Sequence, residues 1–190
     1  MERSGAVGEK IEEDMRALME VLTREAASDK SDHLIVVALV GVGGIGKTTL
    51  GKKVFSDDGI KGKFTKRICL SITHDFNDVE LLSTAIIAIG GDLPGGGGAR
   101  DRDLLVGALK NAIGYKKLFL LLDDMWGVDA WDNLLRAPFS YSSPSSRVLI
   151  TTRHDTVAPS MEAVHYQHVD KLGVEDAWSF LKKQVSLPTY

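Results

Sequence analysis

Seven apolar residues, LIVVALV at 34–40, run without a break into GVGGIGKTT at 41–49. This junction constrains the fold more than any other part of the chain. A continuous, β-branched apolar run suits a strand buried on both faces, as in the middle of a parallel sheet. The turn after it fits G-x-x-x-x-G-K-[ST] through Gly41, Gly46, Lys47 and Thr48. Glycines there let the backbone curl until successive N–H groups point inward at a phosphate chain. The helix expected from Lys47 to Phe55 adds its positive end to the same point. Lys47 places a cation on the outer phosphates, and the Thr48 hydroxyl can ligate Mg²⁺. A chance glycine turn is the competing reading, and it does not account for the strand before the loop and the helix after it.

The remaining pattern repeats strand and helix. Ile11, Met15, Leu18 and Leu22 recur at helical spacing, which predicts an amphipathic surface helix over 9–25, followed by a polar linker, AASDKSDH, at 26–33. Strands are predicted at 66–72, 117–122, 147–152 and 164–169. Helices are predicted at 78–89, 101–114, 128–136 and 174–185. GGDLPGGGG at 90–98 reads as a mobile surface loop within one domain. The expected architecture is α/β, with a five-stranded parallel sheet sandwiched between helices. Residues 1–33 read as an N-terminal segment and 34–190 as the nucleotide-binding unit.

LFLLLDDMW at 118–126 sets five apolar residues directly before Asp123 and Asp124. Adjacent carboxylates repel, and each is costly to desolvate unless it faces a cation. A solvated acidic turn is the simplest explanation. In a parallel sheet, however, ligands bind beyond the carboxyl ends of the strands, so these acids share an edge with the phosphate loop. Asp123 is the candidate for the Mg²⁺ shell, and Asp124 can orient or deprotonate an attacking water. Side chains alternate along a strand, so the two acids are expected to point in opposite directions. RVLITTRHD then carries Arg153 to the same edge, where it is either a γ-phosphate contact or an ordinary surface arginine.

Charge and composition exclude several classes. A net charge of −3 gives no reason to expect direct nucleic-acid binding. No apolar run approaches the ~20 residues of a membrane span. Cys69 is the single cysteine, so no intrachain disulfide forms and a reducing compartment is expected. The start MERSGAVGEKIEED has no apolar core of a secretory signal, which points to a cytosolic or nucleocytoplasmic protein. The five histidines lack metal-ligand companions. Trp126, Trp131 and Trp178 read as packing anchors, with Trp126 also placed to line the site.

GVGGIGKTTL, LFLLLDDMW and SSRVLITTR, in this order, resemble the P-loop, kinase 2 and following Arg motifs of the NB-ARC domain. That domain is the nucleotide-binding module of plant NLR immune receptors, and it has a P-loop NTPase fold. AVGE at 6–9 resembles the family's Val-Gly motif, FTKRICLSIT at 64–73 its segment after the P-loop helix, and LGVEDAWSFL at 172–181 its Ala-Trp helix. The resemblance implies an ADP/ATP switch with Mg²⁺ and slow hydrolysis at most. It implies that Val7 and Gly8 contact adenine, and that Gly41, Gly43, Gly44, Ile45, Gly46, Lys47, Thr48 and Thr49 hold phosphates. It gives Thr48 and Asp123 to the metal, Asp124 and Lys47 to hydrolysis, and Arg153 to the γ-phosphate.

The chain departs from the family at Glu9, where Arg is common, and at Ile68 and Cys69, where Trp is usual. The family's later Gly-Leu-Pro-Leu and Met-His-Asp motifs are not found, and SLPTY at 186–190 comes too soon after the Ala-Trp helix. The expectation is therefore a piece ending after the first subdomain. Implied partners are the remaining NB-ARC subdomains, leucine-rich repeats, an N-terminal signalling domain and further copies of the receptor. Two other readings stand beside the switch: a turnover ATPase or small-molecule kinase, and a scaffold with a dead site.

Overall fold

A computed structural model describes residues 6–24, 34–95 and 101–169. The expected linker at 26–33, the closing helix at 174–185 and SLPTY lie outside the described residues. So do 96–98 of the glycine-rich loop and the two residues after it, while 91–95 hold no helix or strand.

The apolar runs form five strands: β1 (Ile35–Val40), β2 (Lys66–Ser71), β3 (Leu118–Met125), β4 (Arg147–Thr152) and β5 (His165–His168). They join in one sheet in the order β2-β3-β4-β1-β5, and every pairing is parallel. β1 sits between β4 and β5, which explains why its sequence is apolar throughout.

The period of two along each strand divides the core into two layers. Val36, Ala38, Leu120, Leu122, Val148 and Ile150 face one side, against α4 (Asp78–Ile89) and α5 (Arg102–Ile113). Val37, Leu39, Phe119, Leu121 and Leu149 face the other, against α1 (Ala6–Thr23), α2 (Lys47–Phe55) and α3 (Asp58–Lys63). Leu18 and Leu22 of α1 are fully buried in this second layer, so the helix ahead of the linker shares the core of the sheet. Its C-terminal end is tied down by cations. Lys63 Nζ donates to the Thr23 carbonyl, and the buried Arg147 donates to the Arg24 carbonyl at 2.8 Å. Positive charge there offsets the helix dipole.

α2 and α4 have the bounds the sequence predicts. Four elements differ from the expectation. β3 continues through both acids to Met125 rather than stopping at 122. The segment expected as one helix over 128–136 is a π-helical turn, Trp131–Leu135, running into α6 (Arg136–Phe139). α3 forms despite two glycines because Asp57 caps it, accepting from the Gly59 N–H. The short α7 (Val157–Ser160) was also not anticipated.

Candidate functional site

The carboxyl ends of β1, β2, β3 and β4 and the start of α2 surround a cavity of about 310 Å³. Its walls include Gly44, Gly46, Lys47, Thr48 and Thr49 from the glycine loop, and Asp123, Asp124 and Arg153 from the strand ends. The structure thus brings the widely separated motifs to one place.

The loop itself needs its glycines. Gly44 and Gly46 have φ of 75° and 105°, which side-chain-bearing residues rarely adopt. Gly46 is the N-cap of α2 and leaves the helix start without a side-chain cap. By contrast α3, α4 and α5 are each capped, by Asp57, Asn77 and Asp101. The first N–H groups of α2 therefore remain available to an anion. Lys47 is buried and donates to the Gly41 and Val42 carbonyls at 2.7 and 2.9 Å. Burial pushes its ammonium below the ordinary lysine range and Arg153 adds to this, while Asp124 and Asp123 pull the other way.

Asp123 is buried and accepts from Thr48 Oγ1 at 2.9 Å and from Thr151 Oγ1 at 2.6 Å. Two hard oxygens, of Thr48 and Asp123, thus meet beside the helix start. That donor set suits Mg²⁺, which takes few protein ligands and completes its shell with water and phosphate oxygens. Among the described residues no group of three or more His, Cys, Asp or Glu could hold a metal alone. The residues present therefore fit a metal brought in with a polyphosphate.

The two acids are not separated by strand alternation, as expected. Asp124 has φ of 56°, and the β3–β4 register shifts between Leu122 and Met125. This bulge turns both carboxylates toward the same cavity. They differ instead in their partners. Asp123 is held by hydroxyls, whereas Asp124 pairs with Arg153 Nε at 3.3 Å. Arg153 also lies against the loop: a Cβ added to Gly43 would sit 3.1 Å from its Nη1. Val7 and Gly8 fall in the first turn of α1, with side chains outside the described residues. Gly41 and Ile45 flank the cavity without lining it.

Two residues escaped the sequence reading. Thr151 donates to Asp123 and accepts from the Asp124 N–H at 2.9 Å. Ser71 ends β2 opposite Asp123 and lines the cavity. Their position at the carboxyl end of predicted strands was the available signal. Trp131 is a buried anchor, but Trp126 is 41% exposed.

The family model described as the NB-ARC domain matches residues 11–189. The Arabidopsis thaliana disease resistance RPP13-like protein 1 is 33% identical over 178 residues, covering 92% of this chain and 16% of that protein. Disease resistance protein RGA2 of Solanum bulbocastanum is 32% identical over 150 residues, 78% of this chain and 15% of its own length. The chain thus spans about one sixth of these relatives. Among solved structures, Cdc6p of Pyrobaculum aerophilum superposes with a TM-score of 0.68 at 16% identity, covering 91% of this chain and 48% of that one. A STAND-type signal-transduction ATPase with a tetratricopeptide repeat sensor, from Pyrococcus horikoshii, gives 0.53 at 24% identity, over 91% of this chain and 25% of that one. These structural likenesses support the α/β P-loop NTPase fold.

Proposed function

The chain belongs to the NB-ARC family, and from that premise we propose that it is the adenine-nucleotide switch of a plant immune receptor. The observation that carries this reading is the convergence of Lys47, Thr48, Asp123, Asp124 and Arg153 on one cavity beside an uncapped helix start. Lys47 and the first N–H groups of α2 would hold the phosphates of ADP or ATP. Thr48 and Asp123 would hold Mg²⁺, which when bound neutralises phosphate charge. Arg153 would meet a third phosphate, and Asp124 would orient water.

Hydrolysis is slow on this reading. Arg153 is the one described arginine lining the cavity, and an arginine supplied from a second protein is worth roughly 10³–10⁵ in rate in related systems. The nucleotide state would be read by the other subdomains, the leucine-rich repeats and an N-terminal signalling domain of an intracellular receptor, with self-association in the triphosphate form. No helix among the described residues is long and apolar enough to cross a membrane.

The test is to heat-denature the purified protein and separate the released small molecules by anion exchange, then titrate the protein with Mg·ADP and Mg·ATP. Retained or bound adenine nucleotide, lost in Lys47→Arg, supports the reading. Absence of binding to either nucleotide supports the dead scaffold instead. A turnover of several per second supports a turnover enzyme.

A further inference from the structure

Trp126 follows the paired acids, yet it does little for the core. Trp126 is 41% exposed, whereas Trp131 is 5% exposed. Its ring instead meets a cation. The Arg153 guanidinium carbon lies 5.2 Å from the centroid of the Trp126 ring. The ring also packs against His74, edge-on at 5.9 Å, and against His154, tilted at 5.5 Å. Arg153 is therefore held at two points, the Trp126 face and the Asp124 carboxylate, and lies close beside Gly43. An aromatic face attracts a guanidinium through its quadrupole, and the attraction strengthens with desolvation.

We propose that Trp126 is a positioning residue that parks Arg153 beside Asp124 and so biases the site toward a nucleoside diphosphate over a triphosphate. The inference rests on the nucleotide-switch reading above. A diphosphate leaves the parked arginine in place. A third phosphate must draw the guanidinium from both its carboxylate and its ring. Each parking contact thus weakens triphosphate binding relative to diphosphate binding. The stacking contact accounts for about 2–5-fold of that ratio.

The experiment uses calorimetric titration of the full chain with Mg·ADP and with Mg·ATPγS, for wild type, Trp126→Leu and Trp126→Phe. The ratio of the ATPγS to the ADP dissociation constant should fall about 2–5-fold in Trp126→Leu. Trp126→Phe, which keeps a ring face, should recover most of the wild-type ratio. A second readout uses the unaltered chain. Subtracting Trp126→Phe emission isolates Trp126 fluorescence, which should change with ATPγS, stay constant with ADP, and lose this difference in Arg153→Ala. A ratio that is unchanged or raised in Trp126→Leu overturns the proposal, as does equal fluorescence response to both nucleotides. Failure of wild type to bind either nucleotide removes the switch reading and this inference together.

Discussion

Replacing Thr151 by Val removes one oxygen from the middle of the candidate site and keeps its shape. That oxygen has two jobs. It donates to the buried Asp123 carboxylate at 2.6 Å, and it accepts from the Asp124 N–H at 2.9 Å. A hydrogen bond to a charged group contributes about 1.5–3 kcal/mol, and a buried donor left unsatisfied costs about 1–3 kcal/mol. Thr48 still donates to Asp123, which limits the first loss. The expected destabilisation is therefore roughly 2–4 kcal/mol, which at ~2–4 °C per kcal/mol lowers Tm by about 4–16 °C. Urea unfolding followed by circular dichroism, at constant slope, measures the change directly. Thr151→Ser keeps the hydroxyl and should recover most of the loss despite one missing methyl group. A loss below about 0.5 kcal/mol in Thr151→Val would refute the claim that this hydroxyl holds the two acids in place.

Three other changes test separate parts of the fold. Gly46→Ala puts a side chain at a φ of 105°, so it should destabilise by about 1–3 kcal/mol in urea, although open space surrounds the added methyl group. Leu18→Ala empties a fully buried position between α1 and the sheet and should cost about 2–5 kcal/mol, with loss of the α1 signal in hydrogen exchange. The Cys69 thiol is pushed up chiefly by burial and secondarily by the Asp123 charge, with Lys52 opposing. It is therefore mostly protonated at pH 8, and a disulfide reagent should label it at least about tenfold faster in urea than in the folded protein.

The parts legible in the sequence were those encoded by a local pattern. Lys47–Phe55 and Asp78–Ile89 followed from a glycine turn in one case and from apolar spacing in the other. The parts that were not legible depend on register between distant segments. Thr151 meets Asp123 only because β3 and β4 pair, at a separation of 28 residues. The bulge at Asp124 defeated the alternation argument, since its positive φ falls on a residue that is not glycine. Arg147 read merely as the first residue of β4, and its contact with the Arg24 carbonyl spans 123 residues of chain. The hold on Arg153 could not be foreseen from spacing, because the arginine itself, its partners Asp124 and Trp126, and Gly43 come from the ends of β4, β3 and β1 respectively.

The close approach of Gly41 to the end of β5 has a mechanical consequence. The Val169 N–H bonds the Val40 carbonyl at 2.9 Å, and a Cβ on Gly41 would lie 2.8 Å from the Val169 carbonyl oxygen. The chain therefore leaves the sheet pressed against the first residue of the phosphate loop. Whatever load is applied downstream of Val169 reaches this backbone contact before it reaches any other part of β1. It acts there as a tether with almost no slack, since no side chain stands between the two backbones to absorb displacement. Movement of the outgoing chain is thereby linked to the first residue of the phosphate loop, and movement of the loop to the outgoing chain.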